Sequence, residues 1–317
     1  MTLFANMSRM ILDKSVTFHY NKRMIWIPLV LLYGLLKGGR EIAKKKAMTK
    51  NSVMEVLFVY TLMSFVFVLP QAGQAGGMET RFFFFIALKS FVMFLAWIFG
   101  FYSLKKMPVS LYGVLSLSRV LFATMSGVIF LHEALSVFQM SGLLIVCAGL
   151  LLLRIPPKKQ ESTDTTLTQN DVTVEPVKTI YVIMAFASCI FNTISGFMDK
   201  VLMKDVTSSQ LQFWYMLFLV IYYSIFMLVR REKISASVLK NGWIWALAIM
   251  FVIGDKALFI ANGMPQSRIT IMTLIKQSSC LVTIIGGRIF FKEERILYRL
   301  MCALIILGGI ALSLLSL

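Results

Sequence analysis

The chain has 317 residues, of which 58% are hydrophobic and 15% charged. A soluble globular domain is about 45–50% apolar, so this composition excludes that class and leaves an all-α polytopic membrane protein. The net charge of +17 would suit nucleic acid, but the cations stand at the ends of apolar runs, as in REIAKKKAMTK (40–50), RREK (230–233) and KEERILYR (292–299); that placement fits anchoring to a lipid bilayer, and no nucleic-acid partner is expected.

Residues 1–23 form a polar N-terminal tail. Leu3, Met7 and Met10 share one helical face there, which reads either as an interfacial amphipathic helix or as a disordered tail. The tail lacks a small-residue cleavage site, so no cleavable signal peptide is expected. From Met24 onward the chain reads as ten apolar windows between charge clusters. Five fill the first unit, 24–154, at 24–43, 52–69, 82–104, 108–131 and 136–154. In the first of these, Gly34 and Gly38 form a GxxxG that lets helices approach closely, and Lys37 and Arg40 fall in its last turns. Phe82 to Phe85 open the third window as a lipid-facing run. Residues 155–178 have no aromatic residue and are rich in threonine, proline and charge, so they read as a polar linker. The second unit, 179–317, contains windows at 179–201, 208–229, 242–262, 266–291 and 296–316. Trp97, Trp214, Trp243 and Trp245 are assigned mostly to an interfacial aromatic belt. Cys147, Cys189, Cys280 and Cys302 all lie inside apolar runs and form no CxxC, so neither a disulfide nor a metal site is expected.

The two units echo each other. Met107-Pro108 opens the fourth window and Met264-Pro265 the ninth; GVIFLHE (127–133) closes the fourth and GRIFFKE (287–293) the ninth. Arg119 lies eleven residues after Pro108, and Lys276 eleven residues after Pro265. Gly149 and Gly309 each follow their glutamates, Glu133 and Glu293, by sixteen residues. A five-span unit repeated in series re-enters the membrane upside down, which predicts two inverted five-helix repeats with a site between them near the midplane.

With these features the chain resembles the EamA-type transporters of the drug/metabolite transporter superfamily. The carrying residues are the five-plus-five duplication, the glutamates in HEALS (132–136) and KEER (292–295), and the glycine-bearing GLLIVCAG (142–149) and ILGGIAL (306–312). The second unit departs from the pattern at Glu294-Arg295, where a small or apolar residue is commoner. The resemblance implies a ten-helix carrier of small metabolites, coupled to protons or to exchange, with no ATP site and no other cofactor. The expected location is the plasma membrane, and the oligomeric state is left open.

Ionisable groups at membrane depth cost on the order of 2.5–3.5 kcal/mol each on insertion scales, which makes them functional candidates. The sequence offers Lys89, Arg119, Asp255, Lys256 and Lys276, with Asp255 as the one clear acid at depth. Lys276 shares a helix face with Thr273 and Gln277, Arg119 is joined by Ser116, and Asn192 belongs to a polar stripe with Ser188. Arg119, Lys276, Gln277, Thr273, Ser116 and Asn192 are therefore the expected substrate contacts, the two cations holding an anionic or zwitterionic solute. Asp255 and Lys256 are assigned to coupling or charge pairing, with mutual neutralisation of Asp255, Lys276 and Arg119 as the structural alternative. Lys89 either joins them or snorkels to the interface. Glu133 and Glu293 read as interfacial caps. Export of hydrophobic compounds, a membrane enzyme on lipid-linked substrates, and a non-transporting scaffold are the rival functions; for an enzyme the chain offers no nucleophile–base pair. Orientation is contested. The Lys/Arg-rich loops lie opposite the termini and argue for outward termini, whereas the resemblance and the basic tail (Arg9, Lys14, Lys22, Arg23) argue for cytoplasmic ones.

Overall fold

A backbone that leaves water for lipid must satisfy its own N–H and C=O groups, which a continuous helix does within one segment. The computed structural model describes residues 26–122, 136–152, 177–232, 234–264, 267, 272, 275–293 and 296–314. They form α1 (Trp26–Ala47), α2 (Val53–Val68), α3 (Thr80–Lys106), α4 (Val109–Leu115), α5 (Val137–Leu152), α6 (Thr179–Leu202), α7 (Ser208–Arg230), α8 (Gly242–Gly263), α9 (Ser278–Phe291) and α10 (Ile296–Leu314). No strand occurs among the described residues. The N-terminal tail and nearly all of the linker lie outside them.

Among the described residues, five helices are long and apolar enough to cross a membrane: Val53–Gln74 (α2 with its 3-10 extension), Thr80–Lys106, Thr179–Leu202, Ser208–Arg230 and Gly242–Gly263. Four shorter apolar helices accompany them, at Val109–Phe122, Met140–Leu152, Ser278–Phe291 and Ile296–Leu312. α1 is 22 residues long but carries Lys37, Arg40, Glu41 and a basic last turn.

Local chemistry fixes several ends. Ser52 and Glu55 exchange hydrogen bonds of 3.2 and 3.0 Å at the start of α2, and Thr207 and Gln210 make the same capping box at the start of α7. α7 and α9 stop at Arg231 and Lys292, each left-handed at φ 52°.

The helices pack in pairs that cross between the halves. α1 lies on α8 and α6 on α3; α2 meets α7, α4 meets α9, and α5 meets α10. Exchanging the halves, so that α1 takes the place of α6 and so on, maps each pairing onto itself or onto another. Glycines permit the tightest approaches. A Cβ on Gly149 of α5 would come within 2.5 Å of Ile306 Cγ1, and one on Gly309 of α10 within 2.8 Å of the Gly142 carbonyl. Gly34 of α1 has no room for a Cβ beside Ser278 Oγ, and Gly38 would place one 2.5 Å from Val282 Cβ. The GxxxG of α1 therefore seats the start of α9.

An aromatic block fills the space among α2, α3, α7 and α8. Tyr60 and Trp97 lie 5.2 Å apart, and Phe251 stands edge-on to both, at 5.5 Å and 5.2 Å. Trp97, expected in the interfacial belt, is buried there because α3 turns that face toward α2 and α8. Trp243 and Trp245 stay exposed. The phenylalanine run divides: Phe84 and Phe85 face outward, while Phe82 is buried and Phe83 lies 4.6 Å from Trp214.

Candidate functional site

Both helices that bring a central cation are interrupted beside it. α4 ends at Leu115 and tightens into a 3-10 turn at Ser116–Ser118, with Arg119 as the next residue. Ser116 Oγ donates 2.6 Å back to the Gly113 carbonyl within that turn. In the other half Lys276 is helical, Gln277 is a turn residue, and α9 begins at Ser278. Such breaks at membrane depth are tolerated where the freed groups face protein or a wet cavity.

α1 completes the cluster. Because Gly34 and Gly38 press on α9, Lys37 between them is carried into the same region, only 6% exposed. The Lys276 ammonium lies 6.0 Å from the Tyr33 ring. Arg119 is within electrostatic reach of Tyr33, Tyr112 and Glu41, and of both Lys37 and Lys276.

Three buried ion pairs surround these groups. Arg40 meets Asp255 at 3.1 Å, Lys44 meets Glu41 at 2.8 Å, and Lys89 meets Asp199 at 2.9 Å. The Arg40 guanidinium also lies over Tyr33 (5.3 Å) and Phe251 (5.1 Å). The Lys89 ammonium sits 3.4 Å above the Tyr215 ring. Two of these pairs join the symmetry-related contacts α1–α8 and α6–α3, with the cation on α1 in one and the acid on α6 in the other.

Lys37, Arg119 and Lys276 differ from their neighbours. Among the described residues none has a carboxylate oxygen within 4.0 Å. Several buried polar atoms among the described residues also have no hydrogen-bond partner. They include Arg119 Nε and Ser118 Oγ beside one helix break, Gln277 Oε1 and Ser278 Oγ beside the other, and Ser195 Oγ of α6. An unsatisfied buried polar group costs about 1–3 kcal/mol, so a cluster of them marks where water or a solute belongs.

The other candidates from the sequence are placed as follows. Gln277 is buried next to Lys276. Asn192 is half-buried on α6, where Nδ2 donates to the Ser188 carbonyl at 2.7 Å. Thr273 lies outside the described residues. Asp255 is paired with Arg40, not with Arg119 or Lys276, because α8 lies along α1. Lys256 points away, donating to Gln71 Oε1 and Ser209 Oγ, both at 2.7 Å, where the end of the α2 extension meets the start of α7. Lys89 does not snorkel; it is 1% exposed, because Asp199 and the Tyr215 ring replace the water it would seek.

Asp255 is therefore not the one acid at depth, since Asp199 and Glu41 are buried with it. Sequence reasoning missed these two, and also Lys37 and Arg40, because all four stand near charge clusters that look like span ends. One signal was available. Lys37 lies eleven residues after Trp26, where α1 begins, the same offset that placed Arg119 and Lys276 at depth.

Polar clasps hold the starts of both interrupted segments. Glu293 accepts from the Val109 and Ser110 N–H groups at 2.6 and 3.2 Å, capping α4, and pairs with Arg299 at 2.8 Å. Its counterpart Glu133 lies outside the described residues. Lys45 of α1 donates to the Met107 carbonyl. Lys200, equally far from the end of α6, donates to the Asn262 carbonyl and Ser267 Oγ, both at 2.9 Å.

Compared with known proteins, residues 24–155 and 179–315 match the profile of the EamA-like transporter family. The chain belongs to that family. It is thereby a multi-pass membrane protein of the drug/metabolite transporter superfamily, a transporter rather than an enzyme. A solved structure described only as "Crystal structure of protein" has a TM-score of 0.61 at 13% identity, with 92% of this chain and 96% of that one covered. At that identity the likeness concerns the fold alone. No curated protein matches the chain.

Proposed function

We propose that this EamA-like protein is a secondary transporter that moves a small polar solute, anionic or zwitterionic, across the plasma membrane by alternating access. Ten spans in two inverted repeats would provide the two rocking halves, and the helix pairings that survive exchange of the halves support that arrangement. The solute would lie between the interrupted α4 and α9 segments. Arg119 gives it a planar, two-pronged donor and Lys276 a compact charge. Gln277, Thr273, Ser116 and Asn192 supply polar contacts around them.

The observation that carries this reading is the division of the buried cations. Arg40, Lys44 and Lys89 have carboxylate partners, whereas Arg119 and Lys276, each beside a helix break, have none among the described residues. An anionic guest gives those charges a partner. Export of cationic compounds fits poorly, since like charges would repel them. Asp255, held by Arg40, is the group through which proton coupling would act, while the ammonium of the adjacent Lys256 is engaged by Gln71 and Ser209.

A thermal-shift screen of the purified protein over amino acids, sugar phosphates and nucleotide sugars tests the reading. At least one anionic or zwitterionic solute should raise the melting temperature. A scaffold without transport would respond to none.

A further inference from the structure

The interior holds more positive charge than two substrate-facing cations account for. Six cations lie in or against the central cluster, namely Lys37, Arg40, Lys44, Lys89, Arg119 and Lys276, and three carboxylates meet three of them, Glu41, Asp199 and Asp255. The three left over stand on α1, just past the end of α4 and just before the start of α9, and these helices make the tightest glycine contacts. Lys37 is the most buried of these three, and its ammonium has no hydrogen-bond or carboxylate partner among the described residues. To keep its charge in such surroundings an ammonium needs a counter-charge nearby, because solvation by water is largely lost. The mid-helix position of Lys37 removes the usual escape of snorkelling to the interface.

Resting on the anion-transport reading above, we infer that Lys37 is a third substrate-facing cation and that it sets a preference for solutes carrying two negative charges, such as a phosphate monoester or a dicarboxylate. A monoanion between Arg119 and Lys276 leaves Lys37 unmet, and a zwitterion brings its own cation toward it. A dianion reaches all three cations and leaves a single net positive charge. Glu41, one turn along α1, gives Lys37 only a shared charge, because its Oε1 is held by Lys44 at 2.8 Å and its carboxylate lies beyond 4.0 Å of the Lys37 ammonium.

Affinities of the full-length protein are measured for succinate and glycerol phosphate as dianions, lactate as a monoanion, and alanine as a zwitterion. The wild type should bind the dianions at least tenfold more tightly than lactate or alanine. Lys37→Gln should lower dianion affinity about tenfold or more while changing lactate affinity less than threefold, and Lys37→Arg should keep the dianion preference. Equal affinity of the wild type for monoanions and dianions would overturn the inference, with no need for a variant to fold. An unchanged preference in a folded Lys37→Gln would overturn it too. If lactate binding is strong and depends on Arg119 and Lys276, the clamp stands and only the role of Lys37 falls. If none of the solutes binds, both fall together.

Discussion

Arg40 holds Asp255 at 3.1 Å and lies over the rings of Tyr33 and Phe251, so three side chains of α1 and α8 converge on one guanidinium. Removing one member of such a pair leaves the other charge buried and unmet, which costs about 3–5 kcal/mol, whereas replacing both with neutral groups is far milder. Asp255→Ala should therefore lower stability in detergent by about 3–5 kcal/mol, read as a drop in the denaturation midpoint. The double change Arg40→Gln with Asp255→Asn should recover most of that loss. Wild-type stability in Asp255→Ala would mean that the pair does not hold α1 against α8. These pairings could not be read in the sequence. Lys37, Arg40 and Glu41 sit six to ten residues before the end of α1, and Asp199 three before the end of α6. Hydropathy assigns such residues to interfaces, and only packing against a partner helix shows that they are buried. By contrast, Arg119, Lys276 and Gln277 stood out, because each interrupts a long apolar run.

At the scale of the helix, glycine decides which elements touch. Gly38→Val would drive a side chain into the Ser279 carbonyl, 2.8 Å from the Cβ position, and into Val282. Overpacking of this kind costs about 1–3 kcal/mol, and more where backbone must shift. Melting of the variant should show that loss, and disulfide cross-linking between introduced cysteines on α1 and α9 should weaken with it. Gly196 on α6 is the control, since a Cβ there meets nothing within 4 Å. Gly196→Ala should raise stability by up to about 1 kcal/mol through helix propensity. If both glycines respond alike, the close α1–α9 seat is not what holds these helices. The GxxxG of α1 was legible as a packing device from its spacing. The interruptions in α4 and α9 were not, because VLSLSRV and TLIKQSS contain no internal proline or glycine to mark a break, and their polar residues read as one face of a continuous helix.

For the whole molecule, the family and the helical membrane class follow from features that survive without any structure: span-length apolar windows, a polar hinge and two matching halves. What composition left unspecified is how the halves meet. α1 with α8, α3 with α6 and α5 with α10 are contacts between residues far apart in the chain, and they place α1 beside the α9 segment that carries Lys276. That arrangement turns isolated polar stripes into one region with three cations lacking carboxylates. The central claim is that this region binds an anionic solute and carries it across the membrane. Arg119 and Lys276 would each make charge-assisted contacts worth about 1.5–3 kcal/mol, or roughly tenfold to a hundredfold in rate or affinity.

Uptake of solutes from the thermal-shift screen into liposomes containing wild-type, Arg119→Ala or Lys276→Ala protein, all shown to be folded, tests that claim most directly. The account predicts saturable uptake of an anionic or zwitterionic solute by the wild type and at least a tenfold loss in each variant. Unchanged uptake in both variants would contradict it.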